Sequence, residues 1–443
     1  MLPLSFRSLV IAILCVAAAA CGGSRDPVVE TISVLEIDDS AIPQAVKYHI
    51  FYDSNTIISR HVSGKPAETN PDYPSGKVVV IRVETSDYPR NTAADTAYIS
   101  ELFFGLGAST TSIRNYFLQN SYSKFVIANA GVPEWVTLRN PLASYQPIDE
   151  AVFLKPVLEL ADVDWTTLDA DKDGKITRDE VTIIYLLATA DSKMTKGFAH
   201  VRYPAAFDVN TPYGTFTFEL PIIQFSLVEE SDPDPHTNPI RVLSTVAHEF
   251  CHSMFNLTDR YTDEDDPQYT TGVGNYDIMS YDHTWKMMTM YDRMKIGWIQ
   301  PKVLASHLGK NVKFVNSESA PQALVLLKPA ADPNQLSTDE MWIVENRYKP
   351  GSQGSFDADL PESGMAVWWV RKGTWAAGTD EVRLVDYSKA DQTPTLYTDP
   401  GNTALFKKDA FNFRRDLYEA SGSKSGLYFM NVSDVDSIML AEF

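Results

Sequence analysis

Cysteine, basic residues and long hydrophobic runs are all scarce in this chain of 443 residues. Its three cysteines, Cys15, Cys21 and Cys251, cannot supply a disulfide framework for a chain of this length, so hydrophobic burial must build the core. The 38 Lys and Arg residues against 58 Asp and Glu residues give a formal net charge of -20, which repels a phosphate backbone. We therefore expect no nucleic-acid partner. A composition that is 44% hydrophobic and 22% charged excludes a largely disordered chain.

The one extended hydrophobic run lies at the N-terminus, at residues 9–20, directly before Cys21. A membrane-spanning helix needs about 20 apolar residues, so this shorter run predicts a signal peptide over residues 1–20 and an exported protein. The small residues on both sides of Cys21 resemble a bacterial lipobox. Acylated Cys21 would then anchor the mature chain to the lipid bilayer of the cell envelope, as an outer-membrane or cell-surface lipoprotein. Cleavage without lipidation, which would release a secreted protein, is the alternative.

Residues 21–76 are rich in Pro, Asp and Ser and are predicted to form an anchor tether with a short N-terminal segment. Within this stretch, the apolar patch at 45–58 alternates weakly, which predicts a hairpin. The run KVVVIRV at 77–83 is β-branched and bounded by turn residues, a pattern typical of a buried central strand. We expect the first large domain to begin there and to end near residue 305.

The chain after residue 77 mixes helical and strand patterns, which indicates an α/β or α+β architecture. Residues 109–122 place Ile113, Tyr116 and Phe117 on one face of a predicted amphipathic helix. Further predicted elements are strands at 181–187 and 215–225 and a helix at 240–255. Beyond residue 305, short apolar runs alternate with clusters of Pro, Gly, Asp and Ser. This pattern predicts an all-β, sandwich-like domain over residues 306–443.

A metal-binding pattern, His248-Glu249-Phe250-Cys251-His252, lies within the predicted helix at 240–255. Histidines four residues apart lie on the same face of a helix, so His248 and His252 can bind one zinc ion. Glu249 is placed to take a proton from a water molecule that attacks a peptide carbonyl, and to pass it to the leaving amine. The alternative is a helix that carries two histidines and no metal.

A catalytic zinc site needs a third protein ligand and one open coordination position. Asp259 is the candidate, because Asn256 tolerates the left-handed backbone with which the chain can leave the helix and turn sharply. Asp263 and His283 are the alternative third ligands. Asp259 would otherwise be an acid of a surface loop.

A calcium-binding loop is predicted at residues 169–180, which match the pattern D-x-D-x-D-G-x-I-x-x-x-E. Gly174 provides the sharp turn at the sixth position, and Thr177 would act through water. The following β-branched run indicates a structural loop that precedes a strand, and argues against a paired calcium sensor. The predicted Ca²⁺ ligands are Asp169, Asp171, Asp173, the backbone carbonyl of Lys175, and Glu180.

Several segments together resemble a known family, the metzincin-like zinc peptidases of the immune inhibitor A type. In that family HExxHxxGxxD is followed by a turn that contains methionine beneath the metal. Here VGNYDIMSYDHTW at 273–285 contains Met279, and KIGWIQP at 295–301, WIVENRYKPG at 342–351 and DLPESGMAVWWV at 359–370 are similar to later parts of the family. The resemblance implies an α+β protein. A catalytic domain with a twisted mixed sheet and an active-site helix would span residues 77–305, ahead of the β domain.

The sequence departs from the family pattern in three places. The glycine after the second histidine is missing, and the acidic residue comes one position late, although Asn256-x-x-Asp259 keeps the family spacing if the helix is one residue longer. Cys251 also stands where the family usually has glycine. By resemblance, Tyr281 would contact the metal or the tetrahedral intermediate, or would be a packed aromatic of the turn. His200 matches a family position and is expected to be a cleft or packing residue.

The sequence therefore predicts an exported, membrane-anchored zinc endopeptidase that acts on a protein or peptide substrate and carries one calcium ion. The rival hypothesis is a surface lipoprotein whose peptidase-like and β domains bind a protein or glycan without cleaving it. Glu249 argues against this rival, because a protein that only binds has no use for a general base beside its metal ligands.

Overall fold

The structure is a computed structural model. It describes residues 30–51, 76–90, 92–106, 112–145, 150–188, 199–202, 205–219, 222–226, 239–260, 273–280, 284–350, 355–373, 381–385, 405–407 and 414–443. The predicted signal peptide and Cys21 lie outside these ranges. Within them, no helix combines the length and the hydropathy that crossing a bilayer requires.

The described residues form six α-helices and nineteen strands. The helices are α1 Gln44–Phe51, α2 Thr96–Phe104, α3 Ile113–Asn120, α4 Lys155–Leu160, α5 Pro239–Phe255 and α6 Met290–Lys295. The strands up to residue 226 are β1 Thr31–Ser33, β2 Lys77–Glu84, β3 Ala128–Gly131, β4 Val136–Thr137, β5 Lys175–Thr177, β6 Thr182–Leu187, β7 Ala199–Arg202, β8 Phe207–Thr211, β9 Gly214–Glu219 and β10 Ile222–Ser226. The later strands are β11 Lys302–Leu304, β12 Asn311–Val315, β13 Leu324–Leu327, β14 Glu340–Arg347, β15 Gly364–Arg371, β16 Glu381–Leu384, β17 Arg415–Tyr418, β18 Lys424–Phe429 and β19 Ile438–Glu442.

The central sheet is mixed, with the order β3-β2-β6-β10-β7 and β4 beside β2. Strands β2, β3, β6 and β10 are parallel, and β7 is antiparallel to β10. The predicted buried strand at 77–83 is confirmed, because β2 is buried along almost its whole length and lies inside the sheet. Many strands in several sheets and a few helices make the protein α+β.

Successive side chains of β2 and β6 supply two different hydrophobic cores, because neighbours on a strand point to opposite faces. Val80 and Ile184 join a first core that includes Tyr116 of α3 and Phe250 of α5. The predicted helix face of Ile113, Tyr116 and Phe117 is confirmed as buried. Residues of the opposite sheet face join a second core with α4 and with β8 and β9.

The predicted strand at 215–225 is wrong as one element. Its residues form β9 and β10, which belong to different sheets. Strand β9 pairs with β5 and β8 in a three-stranded sheet next to the predicted calcium loop, whereas β10 lies in the central sheet. Pro221 lies between the two strands in sequence and has no amide hydrogen to continue a ladder.

The C-terminal strands form a five-stranded sheet of order β11-β13-β14-β15-β16, together with the β17-β18 hairpin. Ile343 of β14 packs in the first core, the one that contains the metal-motif helix α5, whereas its neighbour Trp342 packs in a third core. This third core also contains Phe314 of β12 and Met439 of β19, so strands of two different sheets contribute side chains to it. The β region after residue 305 therefore shares its core with the region before it.

The N-terminal segment corrects one prediction. The patch that begins at residue 45 is helical in its described part, where α1 packs Val46 and Ile50, four residues apart on one face, into the first core. The predicted hairpin is therefore wrong over residues 45–51. Strand β1 pairs in parallel with β12, so this part of the predicted short N-terminal segment belongs to the fold.

Candidate metal centre

The metal motif lies in the last two turns of α5, a 17-residue helix whose inner side packs against the central sheet. Phe250 and Met254 are fully buried in the first core. His248 and His252 lie on a different face from these anchors, one helical turn apart, with ring centroids separated by 4.7 Å. The hydrophobic face thus fixes the helix, and the remaining face holds the two imidazoles in place.

The structure brings His248, His252 and Asp259 together, as the sequence predicts. The two Nε2 atoms are 3.0 Å apart, and each lies 3.1 Å from Oδ1 of Asp259. The three residues form one of the two groups of potential metal ligands among the described residues.

Backbone carbonyls orient both imidazoles. Nδ1 of His248 donates to the Ile278 carbonyl at 2.9 Å, and Nδ1 of His252 donates to the Leu257 carbonyl at 2.7 Å. A carbonyl oxygen can only accept, so this assignment places the ring hydrogen of each neutral imidazole on Nδ1. Both Nε2 atoms then carry lone pairs, and these lone pairs face Asp259.

The donor set fits a zinc ion. Oδ1 of Asp259 is buried and has no hydrogen-bond partner. Three atoms that carry lone pairs therefore converge, an arrangement that is repulsive unless a cation lies among them. Ligand atoms about 2.0–2.1 Å from a tetrahedral zinc lie roughly 3.3–3.4 Å apart, close to the 3.0–3.1 Å found here.

Asp259, the predicted third ligand, reaches the histidines through a turn at Asn256, which confirms the left-handed backbone predicted for Asn256. Asn256 has a φ of 53°, in the left-handed region, immediately after the helix ends at Phe255. Its amide donates to the His252 carbonyl at 3.1 Å, and the Leu257 amide donates to the Cys251 carbonyl at 3.3 Å. The chain therefore reverses directly after α5, and Asp259 comes back alongside the histidines.

The turn that contains Met279 lies directly against the histidines. Ile278, one residue earlier, supplies the carbonyl that accepts from His248, and Met279 is fully buried. The carbonyl of Met279 accepts from the Arg260 amide at 2.8 Å, which joins this turn to the residue after Asp259. The methionine turn thus contacts the first predicted ligand, His248, and the residue that follows the third, Asp259.

The cluster opens to solvent on one side. The side-chain exposed fraction rises from 7% for His248 to 19% for His252 and 36% for Asp259. Glu249, next to His248 in α5, is 9% exposed. Among the three residues of the cluster, Asp259 is therefore the most exposed.

The predicted calcium loop brings Asp169, Asp171 and Asp173 together, as the second group of potential metal ligands. Gly174, at a φ of 80°, and Lys172, at a φ of 62°, make the turn. The carboxylates also accept backbone amides within the loop. Among these bonds, the Gly174 amide donates to Asp169 at 3.0 Å and the Lys175 amide donates to Asp173 at 2.7 Å.

Glu180, at the twelfth loop position, bonds to the loop itself. Its two oxygens accept from the Ala170 amide at 2.6 Å and from the amide and hydroxyl of Thr177 at 3.0 Å. Glu180 does not belong to the group of potential metal ligands that the three aspartates form. The Lys175 side chain pairs with Glu219 of β9 at 3.0 Å. The structure therefore brings together three of the predicted calcium ligands.

The calcium loop and the metal-motif helix are in direct contact. Arg178 of the loop donates to the carbonyl of Met254 at 3.2 Å, in the last turn of α5. The hydroxyl of Thr182, at the start of β6, donates to the sulfur of Met254 at 2.8 Å. The conformation of the loop can therefore influence the end of the helix that carries His252.

Three predicted candidates lie outside the described residues. They are Tyr281 and the alternative zinc ligands Asp263 and His283. The backbone of His200 lies in β7, opposite Gln224 of β10, and its side chain is also outside the described set.

The sequence does not predict two buried ion pairs next to the site. Arg260 pairs with Asp292 of α6, and Arg347 of β14 pairs with Asp357. The first pair joins residues 32 positions apart, so no local pattern predicts it. Both arginines lie in the interior at 3% exposure or less, where an unpaired charge would be costly.

The chain matches no protein-family model, no curated protein and no solved structure.

Proposed function

We propose that this protein is an exported, membrane-anchored zinc endopeptidase. The observation that carries the proposal is the convergence of Nε2 of His248, Nε2 of His252 and Oδ1 of Asp259 within 3.1 Å of one another, with both histidine tautomers set by backbone carbonyls. Two histidines and one carboxylate are a ligand set of catalytic zinc, which keeps a fourth position for water or substrate.

Peptide hydrolysis is the reaction that this ligand set and Glu249 support best. A zinc ion at the site would supply a Lewis acid that polarises the scissile carbonyl and makes water more acidic. Glu249 accepts a proton from the attacking water and delivers it to the leaving nitrogen. The carbonyls of Ile278 and Leu257 keep both imidazoles in the tautomer that exposes a lone pair.

The strand next to the metal-motif helix supports a protein or peptide as the substrate. Strand β7 is the last strand of the central sheet in the described part of the chain, and α5 packs against it. An extended peptide can pair with such an edge through its backbone, largely independent of its sequence. A peptide added there would lie beside the metal-motif helix.

The remaining parts of the proposal concern location and the second ion. The N-terminal sequence around Cys21 supports export and lipid anchoring. We also propose one structural Ca²⁺ at Asp169, Asp171 and Asp173. Three converging carboxylates repel one another, and a hard cation with oxygen ligands removes this repulsion.

The test combines metal analysis with cleavage of an unstructured protein such as casein, on a mature chain in which Cys21 is replaced by serine. We expect about one zinc per chain and cleavage that a zinc chelator abolishes. Glu249→Gln keeps the zinc and lowers kcat by about 10²–10⁴. His252→Ala loses the zinc.

Two outcomes would contradict the proposal. Cleavage by the Glu249→Gln variant at the wild-type rate would remove Glu249 from the reaction. A folded wild-type protein with no zinc and no cleavage would favour the rival hypothesis of a surface lipoprotein that binds a protein or glycan.

A further inference from the structure

Asp259 is the one predicted zinc ligand of the cluster that does not lie in a helix. His248 and His252 are held by a 17-residue helix, whereas Asp259 follows that helix in a stretch without regular secondary structure. A third ligand that moves by even 1 Å no longer completes the site. The contacts that fix the backbone on both sides of Asp259 therefore decide whether it can be a ligand.

On its N-terminal side, the Asn256 turn fixes the chain. On its C-terminal side, Arg260 does so with two independent contacts. The Arg260 amide donates to the Met279 carbonyl at 2.8 Å. The Arg260 guanidinium pairs with the carboxylate of Asp292, through Nη2 and, at 3.4 Å, through Nε.

This ion pair is fully enclosed. Arg260 is 3% exposed and Asp292 is fully buried in α6. The hydroxyl of Thr289 donates to the same Asp292 carboxylate at 2.8 Å, and the guanidinium lies 5.5 Å from the ring centroid of Tyr291. An arginine held in this way cannot reach a substrate, so its role is to position its neighbour.

The charges also matter for the metal. A lone guanidinium next to Asp259 would repel a divalent cation, whereas the paired carboxylate of Asp292 neutralises it. The pair thus fixes the backbone after Asp259 without adding net charge beside the site.

We propose that the buried ion pair between Arg260 and Asp292 positions Asp259 as the third zinc ligand. This inference depends on the proposed function and assigns a role to two residues outside the metal motif. Arg260 takes part as a positioning residue, since its guanidinium bonds to Asp292 of α6.

The experiment measures zinc affinity by competition with a chromogenic chelator, for the full mature chain and its variants. Loss of partners that orient metal ligands typically weakens metal affinity by 10–100-fold, so we expect the zinc Kd of Arg260→Met to rise by about this factor. Arg293→Met is the matched control. Arg293 lies in α6, the helix that also contains Asp292, and forms an equally buried ion pair with Glu345 of β14. In the described structure Arg293 contacts none of the predicted ligands.

Cobalt substitution gives a second measurement, because the visible absorption of Co²⁺ changes with the number and geometry of its ligands. We expect an altered Co²⁺ spectrum in Arg260→Met and the wild-type spectrum in Arg293→Met, even where the two variants lose equal thermal stability. If Arg260→Met does not fold, Arg260→Lys carries the test, because it keeps the charge but loses one of the two bonds to Asp292. Its zinc Kd should then lie between those of the wild type and Asp259→Ala.

The outcomes separate this inference from the proposed function. A wild-type zinc site whose Kd and Co²⁺ spectrum are the same in both arginine variants would overturn the positioning role and leave the peptidase proposal standing. Equal weakening in Arg260→Met and Arg293→Met would also overturn it, because the effect would follow from stability alone. A wild-type protein that binds no zinc overturns both proposals.

Discussion

Arg347 and Asp357 form a buried ion pair in which two guanidinium nitrogens donate to one carboxylate, at 2.8 Å from Nε and 2.6 Å from Nη2. The same guanidinium donates to the Tyr276 carbonyl at 3.0 Å, and Asp357 accepts from the Met287 amide at 3.0 Å. The pair therefore holds both sides of the segment that contains Met279.

This arrangement gives the C-terminal sheet a role in the candidate metal centre. Arg347 belongs to β14, whereas Ile278, whose carbonyl orients His248, belongs to the segment that Arg347 holds. The β region is thus joined to the site by a hydrogen-bonded chain as well as by the shared core.

Removal of either member of this pair should be strongly destabilising. Arg347→Met leaves the Asp357 carboxylate buried without its cation, and we expect a loss of about 3–5 kcal/mol in the free energy of unfolding. The double variant Arg347→Met/Asp357→Leu should lose less than the sum of the two single variants, because it leaves no unpaired charge. Urea denaturation of the wild type, Arg347→Met, Asp357→Leu and the double variant measures these free energies of unfolding. Strictly additive losses would show that the two residues do not interact.

Replacement of Asn256 by glycine should be tolerated, whereas replacement by a β-branched residue should destabilise the protein. Its φ of 53° costs a residue with a Cβ roughly 1–2 kcal/mol, a cost that asparagine partly avoids and glycine does not incur. We expect Asn256→Val to lose about 1–2 kcal/mol of stability and some zinc affinity, and Asn256→Gly to keep both. Urea denaturation and zinc competition measure the two effects. Equal stability of the valine and glycine variants would contradict the left-handed turn.

The sequence predicts elements whose signal is local. The β-branched run of β2 and the helix α5 lie within one residue of the predicted bounds, because each has a continuous pattern. The hairpin predicted for the patch after residue 45 is wrong, since Val46 and Ile50 match a helix face as well as an alternating strand. Tertiary packing against the first core decides between the two readings.

The same limit applies to the candidate site. Spacing within one helix predicts that His248 and His252 come together, and a turn-forming residue predicts that Asp259 can approach them. Other contacts join distant parts of the chain. They are the ion pair of Arg260 with Asp292 and the hydrogen bond from Arg347 to the Tyr276 carbonyl. Such contacts are set by the tertiary fold, so a single sequence carries no signal for them.

Calcium should stabilise the protein through the aspartate cluster. A ligand at 100 times its Kd adds about 2.7 kcal/mol to the free energy of unfolding, so removal of Ca²⁺ should lower the urea midpoint and its return should restore it. Asp171→Asn should weaken this effect. Asp179→Asn is the control, because Asp179 carries the same charge within the loop but does not belong to the cluster of three aspartates. Equal loss of calcium response in both variants would refute the site.

Glu318 should make the protein less stable as the pH rises toward neutrality. Burial and the nearby Asp357 raise its pKa from 4.5 to about 7, although its carboxylate accepts from Ser355 and from the Phe356 amide. The folded protein then keeps this proton up to about pH 7, whereas the unfolded chain releases it near pH 4.5. The stability from the protonated carboxyl is fully present below pH 4.5 and is lost as the pH rises through 7, by roughly 3 kcal/mol in total.

Glu318→Gln tests this dependence, because glutamine stays neutral at every pH. We expect the stability of the variant relative to wild type to increase by roughly 3 kcal/mol between pH 4.5 and pH 7, measured by urea denaturation at several pH values. Both proteins carry the same metal ligands, so loss of metal at low pH cancels in the difference. A difference that does not change with pH would mean that Glu318 ionises alike in the folded and unfolded states, and that burial beside Asp357 does not govern its proton.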